Sequence, residues 1–129
     1  MSKPYPPLLK KAMLGNAAFS AATGTTMLLL PGSLAGWLGV PDPAGLRFTG
    51  VVLLLFAGHL VLAARRTQPV KAEILYFCLA DAAWVLGSLA ILWLQPFALT
   101  AAGFWVILVV ALFVADFMGL QWWGLQKAA

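Results

Sequence analysis

Four side chains able to do chemistry stand inside otherwise apolar stretches of this sequence: Asn16, His59, Asp81 and Asp116. An amide, an imidazole and two carboxyls are groups that hold a polar ligand, relay a proton or bind a metal. In hydrocarbon an ionised side chain is costly, so it must face protein, be paired or be protonated. Asp81 is the plainest case, near the middle of the apolar stretch ILYFCLADAAWVLGSLAILWL at 74–94.

Counting from flanking residues gives each group a depth. Asn16 is five residues beyond Lys11, His59 six before Arg65, Asp81 ten beyond Lys71 and Asp116 six before Trp122. At about 1.5 Å per helical residue, all four are expected roughly 7–15 Å deep in the same half of a bilayer. Coming from four different helices, they could meet on one internal level.

Three chemistries compete for that level. The first is packing: His59 pairs with one acid, Asn16 bonds another, and the network sets helix register, each such contact contributing about 0.6 kcal/mol on average. The second is a ligand or proton site, which intramembrane ionisable groups mark by default. The third is a metal or haem centre on His59, Asp81 and Asp116. It lacks a second histidine and any ligand pair at i, i+4, so neither a metal nor a cofactor is expected. Cys78 is the single cysteine. It has no disulfide partner and reads as a small packing residue. No nucleotide loop, GxSxG or HExxH is present, so no catalytic residue and no enzyme is expected.

The elements that must position these groups follow from composition. Of the 129 residues 63% are hydrophobic and only 9% charged, against about a quarter charged in a soluble domain. The mean hydropathy is +0.94. A polar shell cannot be built from so few charges. The apolar residues fall into four runs near the ~20 residues that a spanning helix needs. The expected fold class is an all-α membrane protein, one integral membrane domain over 1–129. It has four transmembrane helices in an antiparallel bundle, at about 8–30, 44–65, 70–94 and 97–126. A short interfacial helix at 33–39, with Ser33 as N-cap, lies between the first two. Residues 1–7, MSKPYPP, are too proline-rich for helix and are expected along the membrane surface. The first run follows Lys3, Lys10 and Lys11 like a signal peptide, but it is long and lacks a convincing cleavage site, so it reads as an uncleaved span.

Charge sets the expected orientation. Lys3, Lys10, Lys11, Arg65, Arg66, Lys71 and Lys127 share one side of a four-span chain, and only Arg47 falls on the other. By the positive-inside rule both termini are cytoplasmic, which makes the net charge of +4 a matter of topology and not of nucleic acid. Trp122 and Trp123 would form an inner aromatic belt, and Trp37 and Trp93 an outer one. Trp84, at mid-membrane, reads as packing. Glu73 can pair with Lys71 or Arg66.

Helical spacing groups the polar residues into faces. Asn16, Ser20 and Thr23 share one, and Cys78, Asp81, Val85 and Ser88 another. Phe48, Val52, Phe56 and His59 align, as do Trp105, Val109, Phe113, Asp116 and Trp123. Aromatic residues are thus expected to border the polar level. Aligning Pro31 with Pro96 also sets Asn16 opposite Asp81 and Thr23 opposite Ser88. That suggests two hairpins in tandem; apolar helices also align by chance, and both readings stay open.

The order Asn16…Ser20…Gly24, then LLLPGSLAGWLGVPDP, Arg47…Gly50 and Asp81-Ala-Ala-Trp84-Val-Leu-Gly87 resembles that of small bacterial four-helix membrane proteins, broadly the DoxX-like proteins. The resemblance spans most of the chain. It implies a four-helix bundle in the bacterial inner (plasma) membrane and carries over no catalytic residue. The expected function is therefore a non-enzymatic membrane protein that associates with itself or a larger membrane complex. The alternative is a binder or carrier of a small hydrophobic or protonatable ligand (a lipid, quinone or similar) at Asn16, His59, Asp81 and Asp116.

Overall fold

The computed structural model describes residues 6–128, which form five helices and, among the described residues, no strand. The expected surface segment 1–7 lies mostly outside the described residues.

Proline and glycine punctuate the chain. Helix α1, Pro7–Leu29, opens with proline at its first position, where the missing N–H is no loss. It stops at Leu30, because Pro31 removes a donor and forces the residue before it out of helical geometry. Pro31 opens α2, Pro31–Leu38, bent by 100° from α1. Ser33 falls inside this helix instead of capping it. Gly39, at φ 82°, ends α2 in the left-handed region that glycine adopts without strain. Asp42 then caps α3, Pro43–Ala64, its Oδ1 accepting from the Ala44 amide at 3.0 Å. Helix α4 is Lys71–Leu94, closed by Gln95 at φ 46° and the following Pro96.

Helix α5, Ala101–Ala128, starts later than its apolar run suggests. Thr100 is the reason. Its backbone N–H donates to Leu38 O at 3.1 Å and its hydroxyl to Trp37 O at 2.6 Å, while Oγ1 accepts from the Gly103 amide at 2.8 Å. That tie to the end of α2 holds 97–100 out of the helix and leaves Thr100 as its cap.

Helices α3, α4 and α5 are each long and apolar enough to cross a membrane; α1 and α2 meet that standard only as a bent pair. Asn16, Ser20, Thr23, Thr25 and Thr26 keep α1 below it alone. The exterior is correspondingly apolar, with Trp93, Leu55 and Phe48 all more than two-thirds exposed. That surface is unfavourable in water and natural against lipid. An all-helical chain with three or four such helices is what a multi-pass membrane protein requires.

The helices pack as two pairs, α1 with α3 and α4 with α5, joined by a seam between α1 and α5. The first pair crosses at two glycines: a Cβ on Gly24 would lie 2.8 Å from Gly50 O, and one on Gly50 2.7 Å from Gly24 O. Only glycine at both positions allows this approach. The buried core sits at one end, where α1 and α4 begin and α3 finishes. It is built from Leu9, Met13, Leu60, Ala63, Ile74 and Phe77, with Met118 and Leu125 of α5 against it. The helices α3 and α4 are not a closely packed pair. They meet through side chains at that same end, Phe56 against Phe77 at 5.7 Å and His59 against Phe77 at 4.9 Å between ring centroids.

Candidate functional site

Above the packed end lies a closed ring of polar side chains. Asn16 of α1 donates from Nδ2 to Asp81 Oδ2 and to Gln121 Oε1, both at 3.0 Å. Gln121 of α5 donates from Nε2 to the same Asp81 oxygen at 2.8 Å. Ser20, one turn beyond Asn16, donates to Asn16 Oδ1 at 3.3 Å. All four residues are buried, Asn16 and Gln121 almost completely. Three helices are therefore joined by three hydrogen bonds, and every amide group in the ring has a partner. Both donors converge on Oδ2 of Asp81. Its Oδ1 receives no hydrogen bond from the described residues.

The ring forms part of the wall of a cavity. A space of about 450 Å³ is bounded by Asn16, Ser20, Asp81 and Trp84 on one side and by Val52, Phe56 and His59 on the other. It lies between α3 and α4, above their aromatic contact. Leu55 and Tyr76, which also line it, are 72% and 48% exposed, so its mouth gives onto the lateral surface of the protein. A second space of about 770 Å³ continues toward α2, lined by Met27, Leu38, Leu46, Ser88 and Phe97 among others. Thr23, Thr49, Trp84 and Val110 belong to both walls. The cavities thus form one mainly apolar cleft with a polar patch at its inner end, and both volumes fall in the range usual for small-molecule sites. Trp84 stands where they meet, and its buried Nε1 has no hydrogen-bond partner. A buried orphan donor is uncommon in a folded protein.

The four residues expected on one level divide three ways. Asn16 and Asp81 come together. His59 lines the cavity, but its Nε2 bonds Glu73 Oε2 at 3.0 Å and reaches neither Asp81 nor Asp116. Arg66 grips the same carboxylate through Nε at 2.7 Å and Nη2 at 3.1 Å, so Glu73 ties the end of α3 and the loop after it to α4. Its expected pairing with Arg66 is present; the alternative partner, Lys71, does not bond it among the described residues. Asp116 is not part of the level at all. It is exposed on the outside of α5, on the same stripe as Trp105, Val109, Leu112 and Trp123. Of the face read on 105–123, Trp105, Val109 and Trp123 accordingly look away from the polar ring, while Phe113 packs on Phe19 of α1 with 5.6 Å between ring centroids, and Phe48 of the face read on 48–59 is also turned outward.

The residue missing from the expectation is Gln121. It completes the ring that Asp116 had been expected to join, because positions five apart on a helix point about 140° away from each other. No group of three or more His, Cys, Asp or Glu side chains converges among the described residues, so a metal held by His59, Asp81 and Asp116 does not fit this arrangement.

No family model matches this chain, and no curated protein and no solved structure is significantly similar to it.

Proposed function

We propose that this chain is a four-span protein of the bacterial inner membrane, similar in plan to the DoxX-like proteins, with both termini cytoplasmic. It binds a small hydrophobic or amphiphilic molecule taken laterally from the bilayer. In this reading α1 is the first span and α2 lies at the outer interface. The observation that carries the reading is the cleft between α3 and α4, which runs from an exposed apolar mouth to the Asp81 ring. A purely structural polar level would be packed on every side. Here Asp81 is held by two amides and still borders open space. The apolar walls suit a chain or ring, and the polar patch suits one hydrogen-bonding group. No catalysed step is assigned.

The test is native mass spectrometry of the protein extracted in mild detergent. A bound amphiphile should accompany it, and Val52→Trp with Leu55→Trp, which fill the mouth, should remove that adduct while the helical circular dichroism stays unchanged. An adduct that survives the filled mouth, or a bare chain throughout, would sink the reading.

A second reading, association with itself or with a larger membrane complex, is favoured by a different observation, the outward-facing acid Asp116.

A further inference from the structure

We infer that the outer stripe of α5 is a docking surface for a transmembrane helix of another protein, and that this helix brings a basic side chain to Asp116. The inference rests on the association reading above and names its chemistry. The stripe runs through Trp105, Val109, Leu112, Asp116, Gly119 and Trp123, all exposed at the three- and four-residue spacing of one helix face. Everything on it is compatible with lipid except the carboxyl. Asp116 has no hydrogen-bond or ion-pair partner among the described residues. It stands six residues from Trp122, roughly 9 Å along the axis. A carboxylate is too short to reach water from there as a lysine would. A charged group at such a depth is costly unless it is paired.

A second copy of the chain does not supply the pair. The base nearest that depth is His59, already bonded to Glu73 beside the cleft. The remaining bases lie at helix ends or in loops. A symmetric contact through this stripe would bring two acids together. A helix carrying lysine or arginine would instead neutralise Asp116 in a medium of low dielectric, where the attraction is strong. Beside the acid, Gly119 has open space where a side chain would be, which lets a neighbouring backbone approach.

The experiment uses the full chain in lipid vesicles with fluorescently labelled poly-leucine transmembrane peptides. One peptide carries a lysine at the depth of Asp116, one a glutamine, one an aspartate and one leucine only. Energy transfer should show the lysine peptide binding at least about tenfold more tightly than the others. Asp116→Asn should erase that preference, and Asp116→Lys should transfer it to the aspartate peptide. Neither substitution should change the circular dichroism or thermal midpoint, because Asp116 is exposed and makes no hydrogen bond or ion pair among the described residues. Equal binding of all four peptides overturns the inference. So does dimerisation of the chain alone that Asp116→Asn abolishes, which would leave the association reading standing with a second copy as the partner. Absence of any association, with peptide or self, would dispose of that reading as well.

Discussion

Replacing Asp81 separates the two roles a buried carboxyl can have. In Asp81→Ala, Oδ2 disappears and two buried N–H groups lose their acceptor, Gln121 Nε2 at 2.8 Å and one hydrogen of Asn16 Nδ2 at 3.0 Å. An unsatisfied buried donor costs about 1–3 kcal/mol. Interhelical polar contacts in membranes average nearer 0.6 kcal/mol, since the unfolded chain also finds partners. Two donors therefore bracket the loss between about 1 and 6 kcal/mol, with about 3 kcal/mol expected. Asp81→Asn is different. Its carbonyl oxygen can take the place of Oδ2 and accept both amides, while its NH₂ takes the place of Oδ1, which has no protein partner to lose. The expected cost is below about 1 kcal/mol. A triple Asn16→Leu, Asp81→Leu, Gln121→Leu variant removes the amide donors with their acceptors, leaving only the Ser20 hydroxyl, which can turn to a carbonyl of its own helix, and should lie closer to wild type than Asp81→Ala does. Reversible unfolding by SDS titration in mixed micelles measures all three. If Asp81→Asn is as damaging as Asp81→Ala, the negative charge itself holds the helices together and the shared-acceptor argument is wrong.

Three further substitutions probe the frame around the ring. Gly24→Val should cost about 2–3 kcal/mol in the same titration, because its side chain meets Gly50 O and Leu53 at the helix crossing; a neutral result would show that α1 and α3 can separate freely. Thr100→Val deletes a hydroxyl that both caps α5 and bonds Trp37 O, so amide exchange at 101–104 should quicken and stability fall by about 1 kcal/mol. Glu73→Gln breaks an ion pair with Arg66 whose side chains are 16% and 49% exposed, and such pairs contribute little, at most about 1 kcal/mol. It should nonetheless broaden the distance distribution between spin labels on α3 and α4, and an unchanged distribution would show that the aromatic contacts alone hold that end.

The helices were legible because their boundaries are set by local chemistry. Pro31, Gly39, Asp42 with Pro43, and Pro96 act through backbone geometry and hydrogen bonding, which the sequence states directly. The start of α5 was not, since what stops the helix at Ala101 is a bond from Thr100 to Trp37, sixty-three residues away. Relative height along the helices was readable for one pair, since counting residues set Asn16 level with Asp81 and the two are hydrogen-bonded. Direction around the helix was not. In α5 both the inward and the outward sides are apolar, so periodicity gives no preferred face, and either Asp116 or Gln121 could have turned inward but never both. Gln121 does not stand out in the sequence, because a lone amide beside Trp122 carries no charge to mark it. A Cβ on Gly124 would strike Leu9, however, so α1 runs alongside α5 beyond that point and covers the glutamine.

The ring need not be either structural or ligand-binding. The two helix pairs have two possible seams. One, between α1 and α5, is closed: Gly15 admits Phe117, Gly124 admits Leu9, and Asn16 bonds Gln121. The other, between α3 and α4, is fastened at one end by Phe56, His59, Phe77 and the Glu73 ion pair, and is open above. Asp81 sits where the closed seam meets the open one. Its bonds to Asn16 and Gln121 join α4 to α1 and α5, and none reaches α3, so moving α3 to open or fill the cleft does not require breaking them. An acid arranged in this way stays satisfied when the cleft is empty and still presents an oxygen when it is full. Glue on one side and a site on the other are compatible demands on one carboxyl, provided that the α3–α4 seam, and not the ring, is the part that moves.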